Sequence, residues 1–242
     1  MIGLNLFYIL ILKNMNISKY SMYSELHDLH PKTWLSPFRR TSSLYLFKMA
    51  LFYSALSLGL MQVGSYFATN LISDYDIPQF PVSILLALSS GLLEESVFFG
   101  IPYYISGSSV ALLGTGIIWS VSHLFNSGTI SIETVSYGGF LFSIPHIFFS
   151  IRTWMSKKGW FAIVFHSGWN VLILSLYCAL GLRQCSIIND VFDISNFMMA
   201  ASSGIIVYLA YQNKKRNINK LFYVGPILVM FFAFILFLND FF

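Results

Sequence analysis

The chain has 242 residues, of which 56% are hydrophobic and only 10% are charged, and its mean hydropathy is +0.69. A soluble domain typically has about 25% charged residues, so this composition excludes an ordinary soluble protein and predicts a polytopic, all-α transmembrane bundle. The net charge of +4 does not predict a nucleic-acid partner, because the basic residues lie in short connections between apolar stretches.

Residues 1–43 are predicted to be a cytoplasmic or interfacial N-terminal segment. An apolar start, Met1–Leu12, precedes the only sizeable polar stretch of the chain, Asn16–Arg40. The remainder, residues 44–242, is predicted to form one transmembrane domain without a soluble appendage.

Seven apolar stretches follow, and about 20 residues suffice for a helix to cross a bilayer. They are Leu44–Ala68, Val82–Ile105, Ser108–Phe125, Thr134–Ile151, Gly159–Leu180, Ser195–Tyr211 and Leu221–Leu238. Four of them are short, so the sequence predicts about seven spans and leaves six or eight open.

The basic residues alternate between the two sides of these predicted spans. They cluster before the first span, between the fourth and the fifth, and after the sixth, and Arg183 is the one base on the other side. Because cytoplasmic loops are enriched in Lys and Arg, we expect a cytoplasmic N-terminus and an outward C-terminus.

The two cysteines, Cys178 and Cys185, show neither CxxC nor metal-ligand spacing. We expect two unpaired thiols.

Two adjacent acids, Glu94 and Glu95, lie in the middle of the second predicted span, which contains no Lys or Arg. A charged side chain at the centre of a membrane costs at least ~2.5–3.5 kcal/mol on insertion scales, so acids in this position predict a functional site. Adjacent residues on a helix diverge by about 100°, so only one of the two points straight at such a site.

Three further polar side chains within the spans have a spacing that suits a shared site. His166 and Asn170 are four residues apart and therefore lie on one helix face, and Trp119 and His123 are related in the same way. By contrast, His146 directly follows Pro145, so we expect a core histidine beside a helix kink. Counting residues along the spans places His123 towards the outside and His166 towards the cytoplasm. The site then closes only if the third span starts deeper or tilts.

These residues resemble the motifs of the CPBP intramembrane proteases, which include the type II CAAX prenyl endopeptidases and Abi-like bacteriocin-processing or immunity proteins. The first motif, EExxxR, corresponds to Glu94–Gly100 (EESVFFG). The second, FxxxH, corresponds to Trp119–His123 with Trp in place of Phe, and the third, HxxxN, is intact at His166–Asn170. The resemblance covers about residues 89–174.

The resemblance implies a metal-independent glutamate protease. By carry-over of the motifs, Glu94 would be the general base and His123 would help to activate the water. His166 and Asn170 would stabilise the oxyanion, and Glu95 would complete the catalytic set. The expected substrate is a membrane-associated peptide, such as a leader-bearing bacteriocin or signal peptide, or a lipid-modified protein.

Phe99 occupies the position of the Arg in the first motif. An Arg four residues after Glu95 could pair with that carboxylate, so without it Glu95 is either protonated or bonded to another group. The chain is therefore either an enzyme with an altered site or an inactive membrane scaffold or bacteriocin immunity protein.

A zinc ion is the alternative to a metal-free site. One Glu and two His could hold Zn²⁺ with an open fourth position, but the sequence has no HExxH motif and pairs His166 with an amide. We expect no cofactor and a multi-pass location in a bacterial cell membrane. The expected partners are the substrate and the surrounding lipids, and a membrane-protein partner is a further possibility.

Overall fold

The computed structural model describes residues 19–71, 82–125, 140–179, 185–188 and 191–241, and these fold into an all-helical bundle. The helices are α1 (Lys19–Leu29), α2 (Ser43–Leu71), α3 (Ile84–Glu94), a π-helical segment (Glu95–Gly100), α4 (Ile101–Ser106), α5 (Ser109–Ser122), α6 (Phe140–Met155), α7 (Gly159–Ala179), α8 (Val191–Asn213) and α9 (Val224–Phe241). Short 3₁₀ turns lie at Pro31–Thr33, His123–Phe125 and Lys220–Tyr223, and the strands β1 (Val82–Ser83) and β2 (Cys185–Ser186) form a parallel pair.

Five helical stretches of the described chain are long and apolar enough to cross a membrane. They are Ser43–Gly64, Ile84–Ser106, Gly159–Leu176, Phe192–Asn213 and Lys220–Leu238. The predicted all-α membrane bundle is therefore confirmed. The third and fourth predicted spans correspond to α5, with 14 residues, and α6, with 16 described residues. The count of seven spans, their orientation and the division at residue 44 stay predictions.

The turn between α4 and α5 is set by local sequence. Gly107 adopts a left-handed conformation with φ of 64°, which a residue without a Cβ reaches at little cost. Ser108 then caps α5 with its hydroxyl, which accepts a hydrogen bond from the Ala111 amide. The chain therefore reverses within two residues, and α5 returns beside the segment that carries the two glutamates.

The sheet pair joins the start of α3 to the segment after α7. Val82 pairs with Cys185 and Ser83 with Ser186, and the Leu85 amide donates to the Ile187 carbonyl at 3.2 Å. Near the end of α7, Cys178 is disulfide-bonded, so the expectation of two unpaired thiols is wrong.

Helix α6 lies at the centre of the packing. It contacts α2 on one side and α5 on another, while α3 packs between α7 and α8. A first aromatic cluster, including Tyr53 and Phe149, fills the space between α2 and α6. A second cluster, including Phe99, Trp119 and Trp154, surrounds the π-helical segment. The two glutamates consequently lie where α3, α5, α6 and α7 meet.

The N-terminal segment is fastened to α6 by a buried ion pair between Asp28 and Arg152. Both side chains are fully buried, and Arg152 Nη2 lies 2.7 Å from Asp28 Oδ1. Arg152 Nε also donates to the Ser36 carbonyl at 3.1 Å, and its guanidinium stacks 4.2 Å above the Phe38 ring. The sequence placed Arg152 in a connection after a span ending at Ile151. Helix α6 continues past Ile151 to Met155, so Arg152 lies within a helix and not in a loop.

Candidate active site

The two glutamates occupy the junction between α3 and the π-helical segment. Glu94 ends α3 and Glu95 begins the wider turn, in which the Ile101 amide bonds to the Ser96 carbonyl five residues earlier. A π-type turn inserted into an α-helix is frequently found at functional sites, because it changes the direction of the side chains on either side. Here Glu94 lines a pocket, whereas Glu95 contacts α6.

Glu94 is the half-buried acid of the pair, with 24% of its side chain exposed. Trp119 Nε1 donates a hydrogen bond to Glu94 Oε2 at 2.7 Å. His166 Nε2 lies 3.5 Å from the same oxygen. Glu94 is therefore a carboxylate that is held in place by one strong donor and still borders open space.

Glu95 is fully buried and is hydrogen-bonded by three side chains of α6. Its Oε1 accepts a hydrogen bond from the Ser150 hydroxyl at 2.5 Å and one from His146 Nε2 at 2.7 Å. Trp154 Nε1 donates to Oε2 at 3.0 Å. Of the two states that the sequence leaves open for Glu95, a bond to other groups in place of the motif's Arg is the one found.

Phe99 is fully buried in the second aromatic cluster. Its ring packs edge-on against Trp119 with a centroid separation of 5.9 Å. A Cβ placed on Gly116 would lie 3.0 Å from a Phe99 ring atom, so α5 approaches this ring closely. The position of the missing Arg is thus filled by apolar packing.

His166 lies between the two acids. Its Nε2 is 3.5 Å from Glu94 Oε2 and its Nδ1 is 3.5 Å from Glu95 Oε1. These separations exceed a normal hydrogen bond, and Nδ1 is buried without a hydrogen-bond partner among the residues that the structure describes. The His146 ring follows at a centroid distance of 4.3 Å. Two carboxylates and two imidazoles therefore form one compact group.

His123 and Asn170 complete the set, although neither contacts the acids directly in the described hydrogen bonds. His123 lies in the 3₁₀ turn after α5, and its Nδ1 is 2.9 Å from the Trp119 carbonyl. A carbonyl oxygen only accepts hydrogen bonds, so Nδ1 carries the proton and a neutral His123 has its lone pair on Nε2.

A pocket of about 100 Å³ brings these residues together. It is lined by Glu94, Trp119, His123, Phe142, Ser143, His146, His166, Trp169 and Asn170. The apparent difference in depth between His123 and His166 therefore does not separate them: four of the five predicted site residues border one pocket, and Glu95 lies directly behind it.

Three residues of this group were not assigned from motifs. His146, predicted to be a structural core histidine rather than a catalytic one, is largely buried, contacts Glu95 and lines the pocket, and its role stays a prediction. Ser150 and Trp154 follow it at intervals of four residues. This regular spacing of polar-tipped side chains along one helix face is the signal that was available in the sequence.

Glu95, His146 and His166 offer three atoms within 4.8 Å of one another, and these are residue types that bind zinc. Two ligands on one tetrahedral Zn²⁺ with bonds of about 2.0–2.1 Å lie about 3.3 Å apart. Glu95 Oε1 and His146 Nε2 are only 2.7 Å apart. The arrangement is that of a hydrogen bond, and the two side chains would have to move apart to share one zinc ion. A metal-free site stays a prediction.

The composition and the helical bundle define a multi-pass membrane protein. Residues 76–172 match the family model described as Type II CAAX prenyl endopeptidase Rce1-like. No curated protein and no solved structure matches the chain. The match covers less than half of the chain but includes all three motifs, so the resemblance to this family of membrane-embedded proteases is confirmed. At that general level it indicates a protease-type function.

Proposed function

We propose that the protein is an intramembrane glutamate-type endopeptidase that hydrolyses a peptide bond in a membrane-associated peptide or a lipid-modified protein. The observation that carries this proposal is the pocket into which α3, the turn after α5 and α7 bring Glu94, His123, His166 and Asn170. A carboxylate, two imidazoles and an amide around one cavity are the groups that water activation and oxyanion stabilisation require.

Glu94 is the proposed general base. Trp119 occupies its Oε2, which leaves Oε1 to accept a proton from a water molecule in the pocket. The Nε2 lone pair of a neutral His123 is the second acceptor available to that water. As the hydroxide forms a bond to the scissile carbonyl carbon, Glu94 takes up the released proton.

His166 and Asn170 are the proposed oxyanion donors. An imidazole N–H and an amide N–H aimed at the developing negative charge lower the barrier, and removing one such donor costs about 10²–10³-fold in kcat. When the tetrahedral intermediate collapses, the C–N bond breaks and Glu94 returns its proton to the leaving amine. The products are a free carboxylate and a free amine, and Glu94 is again ionised.

A second, narrow void adjoins the first pocket between α2, α6 and α7, where Tyr53, Phe149 and Phe165 line it. It shares Phe142, His146 and Trp169 with the first pocket. The void has room for about one water molecule, so a lipid chain would enter there only if these aromatic side chains moved apart. The lipid-modified substrate is therefore proposed from the family resemblance, and the assay below tests it.

The test is a cleavage assay in proteoliposomes. The probes are a quenched fluorogenic farnesylated CAAX peptide, its unlipidated counterpart, and a peptide with a bacteriocin-type leader. We expect turnover of at least one probe, its loss in Glu94→Ala and His166→Ala, and no effect of EDTA. Inhibition by chelators that zinc reverses would overturn the metal-free mechanism, and full activity of both variants would overturn the proposal.

The second candidate is a catalytically silent scaffold or immunity protein, and Phe99 is the observation that favours it. The motif's Arg is replaced by a buried ring in an aromatic cluster. A silent protein would bind one of the same probes with equal affinity before and after Glu94→Gln and would release no product. An enzyme would bind the probe in both forms and cleave it only in the first.

A further inference from the structure

We propose that His146 is a positioning residue for Glu95. Together with Ser150 and Trp154 it holds the Glu95 carboxylate in place, a role that the Arg of the EExxxR motif would otherwise fill. The inference rests on the proposed function for its kinetic consequence, but the contact itself is independent of it. His146, Ser150 and Trp154 are one helical turn apart on α6, and all three bond the same carboxylate.

The burial of Glu95 explains why such support is needed. The side chain is fully buried, and a carboxylate removed from water without hydrogen-bond partners is strongly destabilising. His146 and Ser150 bond Oε1 while Trp154 bonds Oε2, so both oxygens are fixed and the carboxylate cannot rotate. Such hydrogen bonds to an ionised group are about twice as strong as neutral ones.

The surroundings of the two glutamates show what takes the place of the motif's Arg. Among the residues that the structure describes, His146 and His166 are the basic side chains within 4 Å of the two carboxylates. The buried Arg152 of the same helix is paired instead with Asp28. Glu95 is therefore held by the N–H and O–H donors of α6 where the motif has a guanidinium.

The consequence reaches the proposed catalytic groups through Glu95. Glu95 adjoins Glu94 in the chain, and its Oε1 lies 3.5 Å from His166 Nδ1. A histidine serving only to fill a helix kink would have no need of a carboxylate partner, whereas this one lies 4.3 Å from the His166 ring and borders the pocket. Losing the His146 bond removes one of the two donors to Oε1, the oxygen that faces His166, and so loosens the position of Glu95 beside Glu94 and His166.

Two substitutions separate positioning from mere packing. His146→Gln keeps an N–H donor, since the amide Nε2 can take the place of the imidazole Nε2, whereas His146→Leu keeps volume without a donor. The control is Ile147→Leu, a volume-conserving change at the next residue, whose apolar side chain is buried in the second aromatic cluster and donates no hydrogen bond to either acid.

Two readouts are made on each purified full-length variant. In proteoliposomes with the farnesylated CAAX peptide, kcat of His146→Leu falls by about 100-fold with KM unchanged, as expected when a catalytic group is misplaced by about 1 Å. His146→Gln recovers most of that loss. In parallel, carbodiimide modification of Glu95, followed by mass spectrometry, rises in His146→Leu and stays at the wild-type level in His146→Gln and Ile147→Leu.

The two readouts distinguish a failure of the positioning role from a failure of the proposed endopeptidase function. If no variant cleaves any probe but Glu95 labelling still follows the His146 substitutions, the positioning role stands and the endopeptidase proposal fails. If His146→Leu retains both full kcat and a protected Glu95, or if His146→Gln is impaired as severely as His146→Leu in both readouts, the positioning role is overturned.

Discussion

Trp119 stands where the second motif has Phe, and its indole N–H is what distinguishes it. The N–H donates to Glu94 at 2.7 Å, while the ring packs against Phe99 and His123 as a Phe ring would. Trp119→Phe restores the motif but removes a hydrogen bond to a charged group, which is worth about 1.5–3 kcal/mol. We therefore expect kcat to fall by about 10- to 100-fold in the proteoliposome assay, together with a loss of stability of about 1.5–3 kcal/mol.

A rise in kcat in Trp119→Phe would contradict this account and would make the indole a steric adaptation only. Trp160→Phe is the matched control, since Trp160 lies on the exposed side of α7, is 53% exposed, and is outside the pocket. It should leave both kcat and the melting temperature unchanged.

The two adjacent acids differ in burial, and this difference predicts opposite responses to amide substitution. Glu94 is partly exposed and bonded by one donor, so Glu94→Gln should abolish cleavage without a large loss of stability. Glu95 accepts from three donors, and an amide NH₂ placed against an N–H or O–H leaves a buried clash, so Glu95→Gln should cost about 1–3 kcal/mol. Thermal unfolding in detergent, measured beside the cleavage assay, checks both. Equal melting temperatures for the two variants would contradict the assignment of Glu95 as the structurally supported acid.

At the residue scale, the sequence predicts which residues form the site better than it predicts which of them contact one another. Glu94, His123, His166 and Asn170 were identifiable because polar residues within apolar spans are rare and face the bundle interior. His146 met the same condition, but Pro145 before it favoured a structural interpretation. Which carboxylate it contacts depends on the rotation of α6 against the π-helical segment, and a local pattern holds no information about that rotation.

At the scale of elements, the contact between α3 and α7 depends on a glycine. A Cβ on Gly91 would lie 2.4 Å from the Ser167 amide nitrogen and 2.6 Å from its Cα, so the two backbones are in direct contact. Small residues permit such close helix packing in membranes. Because Glu94 follows Gly91 by one turn and His166 adjoins Ser167, this contact sets the distance between base and oxyanion donor.

Gly91→Ala should therefore force α3 and α7 apart and impair both stability and turnover. We expect a loss of about 1–3 kcal/mol in stability from overpacking and a reduced kcat from the displaced acids. Gly168→Ala is the matched control, because nothing lies within 4 Å of a Cβ at that position. If both glycine variants behave like the wild type in unfolding and cleavage, the close approach of α3 to α7 affects neither stability nor activity.

The π-helical segment shows why element boundaries were harder to predict than element types. A period of 3.6 residues across Val82–Ile105 predicts one uninterrupted helix, and the helix does continue from Ile84 to Ser106. The wider turn at Glu95–Gly100 leaves the hydrophobic pattern intact, but it ends at Gly100 and is followed by Pro102. Proline has no N–H to donate to the Phe98 carbonyl, and the Thr115 hydroxyl donates to that carbonyl instead. This local effect acts together with a tertiary one, in which Glu95 meets the donors of α6.

At the scale of the whole molecule, the sequence predicts an all-α membrane bundle with its site in the middle third of the chain. It does not predict how the N-terminal segment is attached. Charge alternation assigned Arg152 to a cytoplasmic connection, because the positive-inside rule treats every base near a span end as a topology signal. Its buried partner Asp28 is remote in sequence, so the pair emerges only from the tertiary structure.

The Asp28–Arg152 pair should make the N-terminal segment essential for the stability of the bundle. Removing one partner of a buried pair leaves an uncompensated charge and costs about 3–5 kcal/mol, so Arg152→Met should lower the melting temperature strongly. Asp28 would keep its bonds from Tyr45 and the Arg39 amide, at 2.8 and 3.1 Å, but would lose its cation.

Asp28→Asn combined with Arg152→Met removes both charges and should be more stable than Arg152→Met alone. That non-additivity, measured by thermal unfolding of the four proteins, identifies a direct interaction. Simple addition of the two single effects would instead mean that α6 and the N-terminal segment are stabilised independently, and truncation before residue 43 would then leave the pocket intact.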